Sequence, residues 1–318
     1  MTTAFVFPGQ GAQAIGMGRD LAAAFLLARE TFEEVDEALH QNLARIMAEG
    51  PESELNLTEN AQPALVAVSM ATLRVVLKES GRGLADLAAF VAGHSLGEYA
   101  ALAAAGTFGL ADAVRLVKAR GQAMQKVVPV GEGAMAALIG CELPLAQEIA
   151  TAAQATPEGK KEVCSAANDN GGGQVVLSGH KGAVERAIGI AGVKGVKRAI
   201  MLQVSAPFHC ALMKPAADVM AESLGKVAMH QPAVPLVANV TASHVSDPAT
   251  IRAQLVEQVT GLVRWRESVA YMVGQGVHRQ VELGAGKVLT GLARRIHRDL
   301  DGVAVGTAAD VESFLKSL

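Results

Sequence analysis

The strongest constraint on the fold is a glycine-flanked turn, Gly93-His94-Ser95-Leu96-Gly97, between two regular segments. The apolar run 90–92 before it predicts a short buried strand, and the small-residue pattern from Glu98 to Ala105 after it predicts a helix that Gly106 ends. A serine between two glycines in this context is the pattern of a nucleophile elbow, in which a sharp turn lifts the hydroxyl clear of the backbone. An ordinary Gly-Ser-Gly turn is the alternative. The elbow interpretation predicts a nucleophilic Ser95.

The composition favours an α/β fold. Of the 318 residues, 50% are hydrophobic but only 3% are aromatic, which suits helices packed closely on both faces of a parallel sheet. From about Gly133 to Val204 the predicted elements follow the order β-α-β-β-α-β, the ferredoxin-like unit, with proline and glycine on its flanks. We therefore expect a ferredoxin-like small domain inserted into a larger parallel-sheet domain. The expected boundaries are 1–130 and 205–318 for the large domain and 131–204 for the small one.

Charge and cysteine content argue against several classes of function. The formal net charge is −3, and no basic cluster is interleaved with aromatic residues, so a nucleic-acid partner is not expected. The 3 cysteines are odd in number and lack the spacing of a zinc site or a disulfide framework, which indicates a reducing compartment and no metal. The chain starts without a leader pattern, and its longest apolar stretches carry Arg74 or the pair His94 and Glu98. We expect a cytoplasmic protein with no membrane segment.

Histidine is the usual base for a serine nucleophile, and the chain has 8. His94 adjoins Ser95 on the turn and is expected to point elsewhere, in a supporting or packing role. His209 follows the last predicted strand of the small domain, at a domain boundary where clefts form. The residues alone leave His209 equally open to a catalytic or a structural role. The others lie in polar or loop-like surroundings and are expected to be solvated: His40, His180, His230, His244, His278 and His297.

The segment Gly9-Gln10-Gly11-Ala12-Gln13-Ala14 offers a rival interpretation, because it follows a predicted strand and fits the dinucleotide-binding pattern G-x-G-x-x-G/A. That kind of site also needs an acidic residue at the tip of the second strand, about 20 residues on. The nearby acidic residues Glu30, Glu33 and Glu34 all lie in a helical pattern. The dinucleotide interpretation is therefore the weaker one.

Two further groups of residues are candidates for substrate binding. Arg120 lies within about 70° of the centre of the apolar face of a predicted helix, Leu110 to Val128. A guanidinium placed there needs a carboxylate, either in a structural salt bridge or on a ligand. The segment Asn168-Asp169-Asn170 is expected at a strand-to-strand turn of the small domain, because Asn and the glycines that follow are residues that tight turns prefer.

Segments along nearly the whole chain together resemble the successive signatures of one family, the malonyl-CoA:acyl carrier protein transacylases. In chain order they are Phe7-Pro8-Gly9-Gln10-Gly11, Gly93-His94-Ser95-Leu96-Gly97-Glu98-Tyr99, Pro207-Phe208-His209 and Val281-Glu282-Leu283-Gly284-Ala285-Gly286-Lys287-Val288-Leu289. The resemblance implies a hydrolase-like α/β domain with a ferredoxin-like insert and an active site in the gorge between them.

The resemblance also implies catalytic roles for five residues. Ser95 is the nucleophile, and His209 is its base, oriented by a backbone carbonyl at the position of Gln258 instead of by an acidic side chain. The backbone N–H groups of Gln10 and Leu96 hold the oxyanion, and Leu96 is favoured independently by its place before a helix. For Gln258 a solvated helix residue is the alternative, since its side chain is not what the role needs.

On the substrate side, Arg120 matches the family arginine that pairs with the free carboxylate of the malonyl group. Asn170 or Asn168 matches asparagines placed against the acyl thioester or coenzyme A. The chain departs from the family pattern at Gly171-Gly172, where a proline is common, and at Phe208, where a small residue often stands. We expect a more mobile loop at the first position and a narrower acyl pocket, unfavourable to bulky α-substituents, at the second.

The implied function is ping-pong transfer of malonyl from malonyl-CoA to the phosphopantetheine thiol of acyl carrier protein, supplying fatty acid synthesis. No bound cofactor is expected, malonyl-CoA being a substrate, and the protein is expected to be a monomer whose partner is acyl carrier protein. Three alternatives stay open. One is a serine hydrolase or thioesterase, which would have no use for Arg120, and another is a noncatalytic module that docks a carrier protein. The third is an acyltransferase of a polyketide synthase or malonate decarboxylase system, which has nearly the same motifs.

Overall fold

The computed structural model describes residues 2–129, 131–204 and 206–318, in which helices pack around two β-sheets. The strands are β1 (Thr3–Phe7), β2 (Phe90–Gly93), β3 (Gly133–Ile139), β4 (Cys164–Gly171), β5 (Gln174–His180), β6 (Arg198–Met201), β7 (Leu236–Val237), β8 (His244–Val245), β9 (Arg279–Leu283) and β10 (Asp301–Val305). The helices are α1 (Arg19–Ala24), α2 (Leu26–Leu39), α3 (Leu43–Glu49), α4 (Glu52–Leu55), α5 (Thr58–Ser80), α6 (Leu84–Leu87), α7 (Gly97–Ala104), α8 (Leu110–Val127), α9 (Leu143–Ala153), α10 (Lys181–Val193), α11 (Lys214–Gly225), α12 (Pro248–Gln258), α13 (Trp265–Gly274), α14 (Val288–Ile296) and α15 (Ala308–Lys316). The expected domain boundaries fall on residues 130 and 205, which lie outside the described residues, as does residue 1.

The larger sheet has the strand order β10-β9-β1-β2-β7-β8. Neighbouring strands pair in parallel from β10 to β7, whereas the short β8 pairs antiparallel with β7. Alternate residues of β1 enter two different cores, Phe5 and Phe7 on one face of the sheet and Ala4 and Val6 on the other. Both faces of a parallel sheet are covered in this way by helices. The predicted α/β fold with a parallel sheet is confirmed.

The smaller sheet has the order β4-β5-β3-β6, and its neighbouring strands are antiparallel. Along the chain its elements follow one another as β3, α9, β4, β5, α10 and β6. The two helices pack against the sheet over a hydrophobic core separate from those of the larger sheet. This sheet therefore contributes its own layer to the molecule, and its β4 lies beside the segment around Val263.

The expected position of Asn168-Asp169-Asn170 in a turn is wrong, because all three residues lie in β4. The turn itself is Gly172-Gly173, whose φ angles of 59° and 72° lie in the left-handed region that glycine adopts readily. A distant segment holds β4 extended: Asp169 N–H donates to Val263 O at 2.9 Å, and Val263 N–H donates to Ala167 O at 2.9 Å. These backbone hydrogen bonds override the local turn preference.

Helix α5 is long and apolar enough to cross a membrane by length and composition, but 89% of its apolar window is buried inside the protein. It packs against α2, α7 and α8 in the helical layer beside the larger sheet. Arg74, near its end, forms an ion pair with Glu34 at 2.6 Å. The apolar surface of α5 is therefore covered by the protein's own core.

Candidate active site

Ser95 occupies a sharp turn between β2 and α7, with a φ of 53°. Such a left-handed backbone is strained in residues other than glycine and recurs at functional sites. The flanking glycines make the turn sterically possible, because a Cβ on Gly93 would overlap the backbone of Gly97 and a Cβ on Gly97 would overlap the carbonyl of Phe7. The predicted elbow is present in the structure.

Ser95 Oγ and His209 Nε2 are 2.7 Å apart, and His209 Nδ1 is 2.8 Å from the backbone oxygen of Gln258. A carbonyl oxygen can only accept, so Nδ1 carries the proton and Nε2 presents its lone pair to the serine hydroxyl. Burial and, after it, the charge of Arg120 lower the pKa of His209 to about 3, against the Gln258 carbonyl, which raises it. The imidazole is therefore neutral at physiological pH, as a general base must be.

Two backbone N–H groups at the site are available as donors. Those of Gln10 and Leu96 form no hydrogen bond with any described residue. Leu96 is the N-cap of α7, where free donors and the positive end of a helix favour an anion. Gln10 follows β1 and lines the same cavity as Ser95, with its side chain donating to Thr58 Oγ1 at 3.3 Å. The pair meets the chemical requirement of an oxyanion hole.

Arg120 lies on α8 and is 1% exposed. Its guanidinium donates to Ser95 Oγ at 3.1 Å and to the side-chain oxygens of Gln62 and Gln258, each at 3.0 Å. Its Cζ lies 6.0 Å from the centre of the Tyr99 ring. No carboxylate of the described residues forms an ion pair with it. Among those residues the structural salt bridge is not found, and a buried positive charge stands beside the nucleophile.

Gln258 is fully buried, so the solvated-helix alternative is wrong. Besides the backbone contact with His209, its side-chain amide donates to Ser95 O at 2.8 Å and to the carboxyl of Glu98, while its oxygen accepts from Arg120. Sequence reasoning missed this role because the resemblance concerned the backbone carbonyl alone. Gln258 therefore connects the elbow, the base and the guanidinium through one side chain.

Sequence reasoning also missed Glu98 and Asn239, together with Gln62. Asn239 accepts the N–H of Ser95 at 2.8 Å and donates to Gly93 O at 2.7 Å, so it fixes both sides of the elbow. Glu98 is 2% exposed and accepts the backbone N–H of Asn239 at 2.6 Å. Burial raises the pKa of Glu98, against these donors, which favour the charged form. Glu98 follows the elbow directly, which was a usable signal, whereas Asn239 is 144 residues from Ser95 and had none.

The two candidate asparagines both line the cavity, but they differ in their contacts. Asn170 Oδ1 is 2.9 Å from His94 Nε2, whereas the side chain of Asn168 forms no hydrogen bond with the described residues. The His94 ring lies 5.7 Å from the ring of Trp265, and burial lowers the pKa of His94. His94 thus links the elbow to β4, in the supporting role expected of it. Phe208, 8% exposed, lines the same cavity.

Ser95, His209 and Arg120 line one cavity of about 480 Å³, whose walls come from both sheets. The smaller sheet supplies Met135, Ala137 and Val176, and α14 supplies Val288 and Leu289. Within the described residues, no group of three or more His, Cys, Asp or Glu side chains is placed to hold a metal ion. A serine paired with a neutral histidine, two free N–H donors and a buried cation make up the functional groups that acyl transfer from a charged acyl donor requires.

Comparison with known proteins identifies the family of the chain. The model of the acyl transferase domain family matches residues 4–310. The chain is 47% identical over 313 residues to the malonyl CoA-acyl carrier protein transacylase of Escherichia coli (strain K12), covering 98% of each chain. This chain belongs to the malonyl CoA-acyl carrier protein transacylase family.

Solved structures of transacylases support the same assignment. The acyl-carrier-protein-S-malonyltransferase of Bartonella henselae is 53% identical and matches with a TM-score of 0.95 over 100% of this chain and 99% of that chain. A type II PKS acyl-carrier protein in complex with its malonyl-transacylase provides a second match, 42% identical with a TM-score of 0.94 over 100% of both chains. The matches cover both sheets, so membership of the transacylase family applies to the whole chain.

Proposed function

We propose that this chain transfers malonyl from malonyl-CoA to the phosphopantetheine thiol of an acyl carrier protein, supplying fatty acid synthesis. The observation that carries the proposal is the guanidinium of Arg120, buried without an ion-pair partner among the described residues and 3.1 Å from Ser95 Oγ. A free cation beside a serine nucleophile suits an acyl group that has its own carboxylate. The names of the transacylase relatives support the same substrate and carrier.

In the first half-reaction, Ser95 Oγ attacks the thioester carbon while His209 Nε2 takes the hydroxyl proton. The carbonyl oxygen becomes an oxyanion, which the N–H groups of Gln10 and Leu96 stabilise. Collapse of the tetrahedral intermediate breaks the carbon–sulfur bond, and the coenzyme A sulfur leaves with the proton from His209. Malonate remains as an ester on Ser95, with its free carboxylate paired to Arg120.

The second half-reaction runs the same steps in reverse. The phosphopantetheine thiol gives its proton to His209 Nε2 as its sulfur attacks the ester carbon, and the same two N–H groups stabilise the oxyanion. The bond to Ser95 Oγ then breaks, and His209 returns the proton to the serine. We place Asn168 and Asn170 against the acyl thioester or the pantetheine arm, because both line the cavity. Phe208 narrows the acyl pocket against bulky α-substituents.

We further propose that 131–204 is an inserted ferredoxin-like small domain and that 1–130 with 205–318 is a hydrolase-like large domain. The strand order β4-β5-β3-β6 and the two helices between the strands support the first assignment, and the parallel sheet supports the second. The active site then lies in the cleft between the domains. We also propose that the protein is a cytoplasmic monomer that needs no bound cofactor.

Transfer and hydrolysis are distinguished by one experiment. The purified protein is mixed with malonyl-CoA labelled in the malonyl group, and the mass of the intact protein is measured before and after addition of holo acyl carrier protein. We expect a malonyl adduct on Ser95 that moves to the carrier, and no adduct on Ser95→Ala. Free malonate formed at the same rate without the carrier would indicate a hydrolase, and a protein never labelled would indicate a docking module. Carriers of fatty acid and polyketide systems compared in parallel separate the remaining pathways.

A further inference from the structure

The carboxyl group of Glu98 has contacts that the proposed mechanism does not use. Glu98 lies in the first turn of α7, is 2% exposed, and forms no ion pair with any described residue. One of its oxygens accepts the backbone N–H of Asn239 at 2.6 Å, and the other accepts the side-chain amide of Gln258. Burial raises the pKa of this carboxyl group to about 8, and a buried polar group is costly unless its atoms are hydrogen-bonded, as both oxygens of Glu98 are.

The two residues that Glu98 holds are the ones that set the geometry of the dyad. Gln258 directs its backbone carbonyl at His209 Nδ1, 2.8 Å away, and Asn239 accepts the N–H of Ser95 at 2.8 Å. They belong to segments that meet the elbow from elsewhere in the chain, one after β7 and the other at the end of α12. A single carboxylate thus connects the nucleophile's turn to both segments.

The contacts require two accepting oxygens at position 98 and fix the direction of the Gln258 amide. Both Glu98 oxygens face N–H donors, so each must accept. The Gln258 amide nitrogen also donates to Ser95 O at 2.8 Å, and its oxygen also accepts from Arg120 at 3.0 Å. Turning this amide over would set a donor against Arg120 and an acceptor against Ser95 O. An amide at position 98 therefore leaves two donors facing each other whichever way Gln258 is turned.

We propose that Glu98 is a positioning residue for acyl transfer, acting through Gln258 on His209 and Arg120; this rests on the function proposed above. The two oxygens of the Glu98 carboxyl group hold Gln258 in place. The backbone carbonyl of Gln258 then keeps the His209 tautomer, and its side-chain oxygen keeps Arg120 beside Ser95. A positioning role predicts changes at the dyad in a protein that is still folded. A role in stability alone predicts unfolding without them.

The test compares Glu98→Gln with Asp36→Asn, a matched control. Asp36 is a partly buried carboxylate that accepts two backbone N–H groups, from Leu43 at 2.7 Å and Ala44 at 3.0 Å, at the junction of α2 and α3. The rate of Ser95 malonylation per folded molecule should fall by about 10²-fold in Glu98→Gln, the scale expected for small misplacement of reacting groups. Asp36→Asn should keep the wild-type rate.

A second readout separates positioning from stability. The Nδ1–H resonance of His209, observed by NMR with labelled histidine, should shift in Glu98→Gln and stay in place in Asp36→Asn. If Glu98→Gln does not fold, Glu98→Asp replaces it, because a shorter carboxylate keeps the charge and withdraws from its partners. A wild-type rate with an unmoved resonance in either folded variant overturns the proposal. Failure of the wild-type protein itself to be malonylated overturns the proposed function instead.

Discussion

Ser95 receives contacts from residues far along the chain, including His209 Nε2 at 2.7 Å and Arg120 Nη2 at 3.1 Å. Since the guanidinium already donates to the hydroxyl oxygen, the hydroxyl proton is free to point at the neutral imidazole. That arrangement places the base on one side of the nucleophile and the cation on the other. Changes at either residue should therefore have different and separable effects.

Removing the base is the first prediction. His209→Ala should lower the rate of Ser95 malonylation by about 10²–10⁴-fold, because proton removal and proton return to the leaving thiol are lost together. The rate is measured by rapid quench and mass spectrometry, with the exposed His230→Ala as a control that should keep the wild-type value. A loss of less than about tenfold would mean that another group acts as the base.

The lowered pKa of His209 gives the second prediction. Because burial holds that pKa at about 3, the imidazole of the free enzyme stays neutral well below the ordinary histidine range. The kcat/KM for malonyl-CoA should show no acid limb near pH 6.5 and should stay level down to about pH 5. An inflection near pH 6.5 that is absent from a folded His209 variant with residual activity would contradict this assignment.

The sequence predicts a site residue when residues next to it in the chain signal its role, and fails when the role comes from distant contacts. Ser95 and Arg120 carry local signals, one in its glycine-flanked turn and the other in its place on a helix face. His209 needed the resemblance to a family. Asn239 escaped prediction because its importance comes from hydrogen bonds to partners that only the folded chain brings near, and the position of Glu98 beside the elbow did not by itself reveal its partners.

At the scale of the element, the elbow was predictable and β4 was not. Gly93 has a local steric reason to be glycine, the backbone of Gly97, whereas the close neighbour of Gly97 is the carbonyl of Phe7 on β1. The asparagines of β4 favour a turn by their own propensity, yet the backbone hydrogen bonds exchanged with Val263 help to keep the strand extended. In β4 the turn propensity of the asparagines is therefore overridden by backbone hydrogen bonds with a distant segment.

The elbow gives the third prediction. Gly93→Ala should abolish malonylation and destabilise the protein by several kcal/mol, on the order of the cost of forced overpacking, because the new Cβ would overlap the backbone of Gly97. Gly189→Ala is the matched control: it lies in α10, and a Cβ there meets nothing within 4 Å. The control should be active and more stable by about 0.5–1 kcal/mol. Urea unfolding measures both, and a Gly93→Ala protein as stable as wild type would contradict the elbow geometry.

At the scale of the whole molecule, the two sheets share a cavity that neither encloses alone. The elbow, the base and the guanidinium come from the part built on the parallel sheet, whereas Asn168 and Asn170 come from β4 of the smaller one. Burial in this active site therefore shifts the pKa of its ionisable side chains. The free energy of unfolding of the whole protein should depend on pH through these shifts.

That response is the fourth prediction. The pKa of His209 is lowered by folding, so the unfolded chain binds a proton below pH 6.5 that the native protein takes up only near pH 3. The free energy of unfolding should fall as the pH drops through this window, by up to about 1.4 kcal/mol per pH unit. Urea unfolding at pH 7.5 and pH 5.0 should show a larger loss for wild type than for His209→Asn. Equal losses in the two proteins would contradict a buried neutral imidazole.

The role of Arg120 is tested most directly by comparing malonyl-CoA with acetyl-CoA on wild type and Arg120→Ala. The two substrates differ by one carboxylate, and a buried guanidinium without an anion should reject the acetyl group. We predict that kcat/KM for malonyl-CoA falls in Arg120→Ala by a factor equivalent to about 2–5 kcal/mol of transition-state binding. The kcat/KM for acetyl-CoA should be kept or rise, so that the preference for malonyl-CoA over acetyl-CoA inverts. Arg115→Ala, on the exposed side of α8, should leave both values unchanged. Equal losses on both substrates in Arg120→Ala would contradict malonyl recognition by Arg120, because Arg120 would then support the fold and not the choice of malonyl.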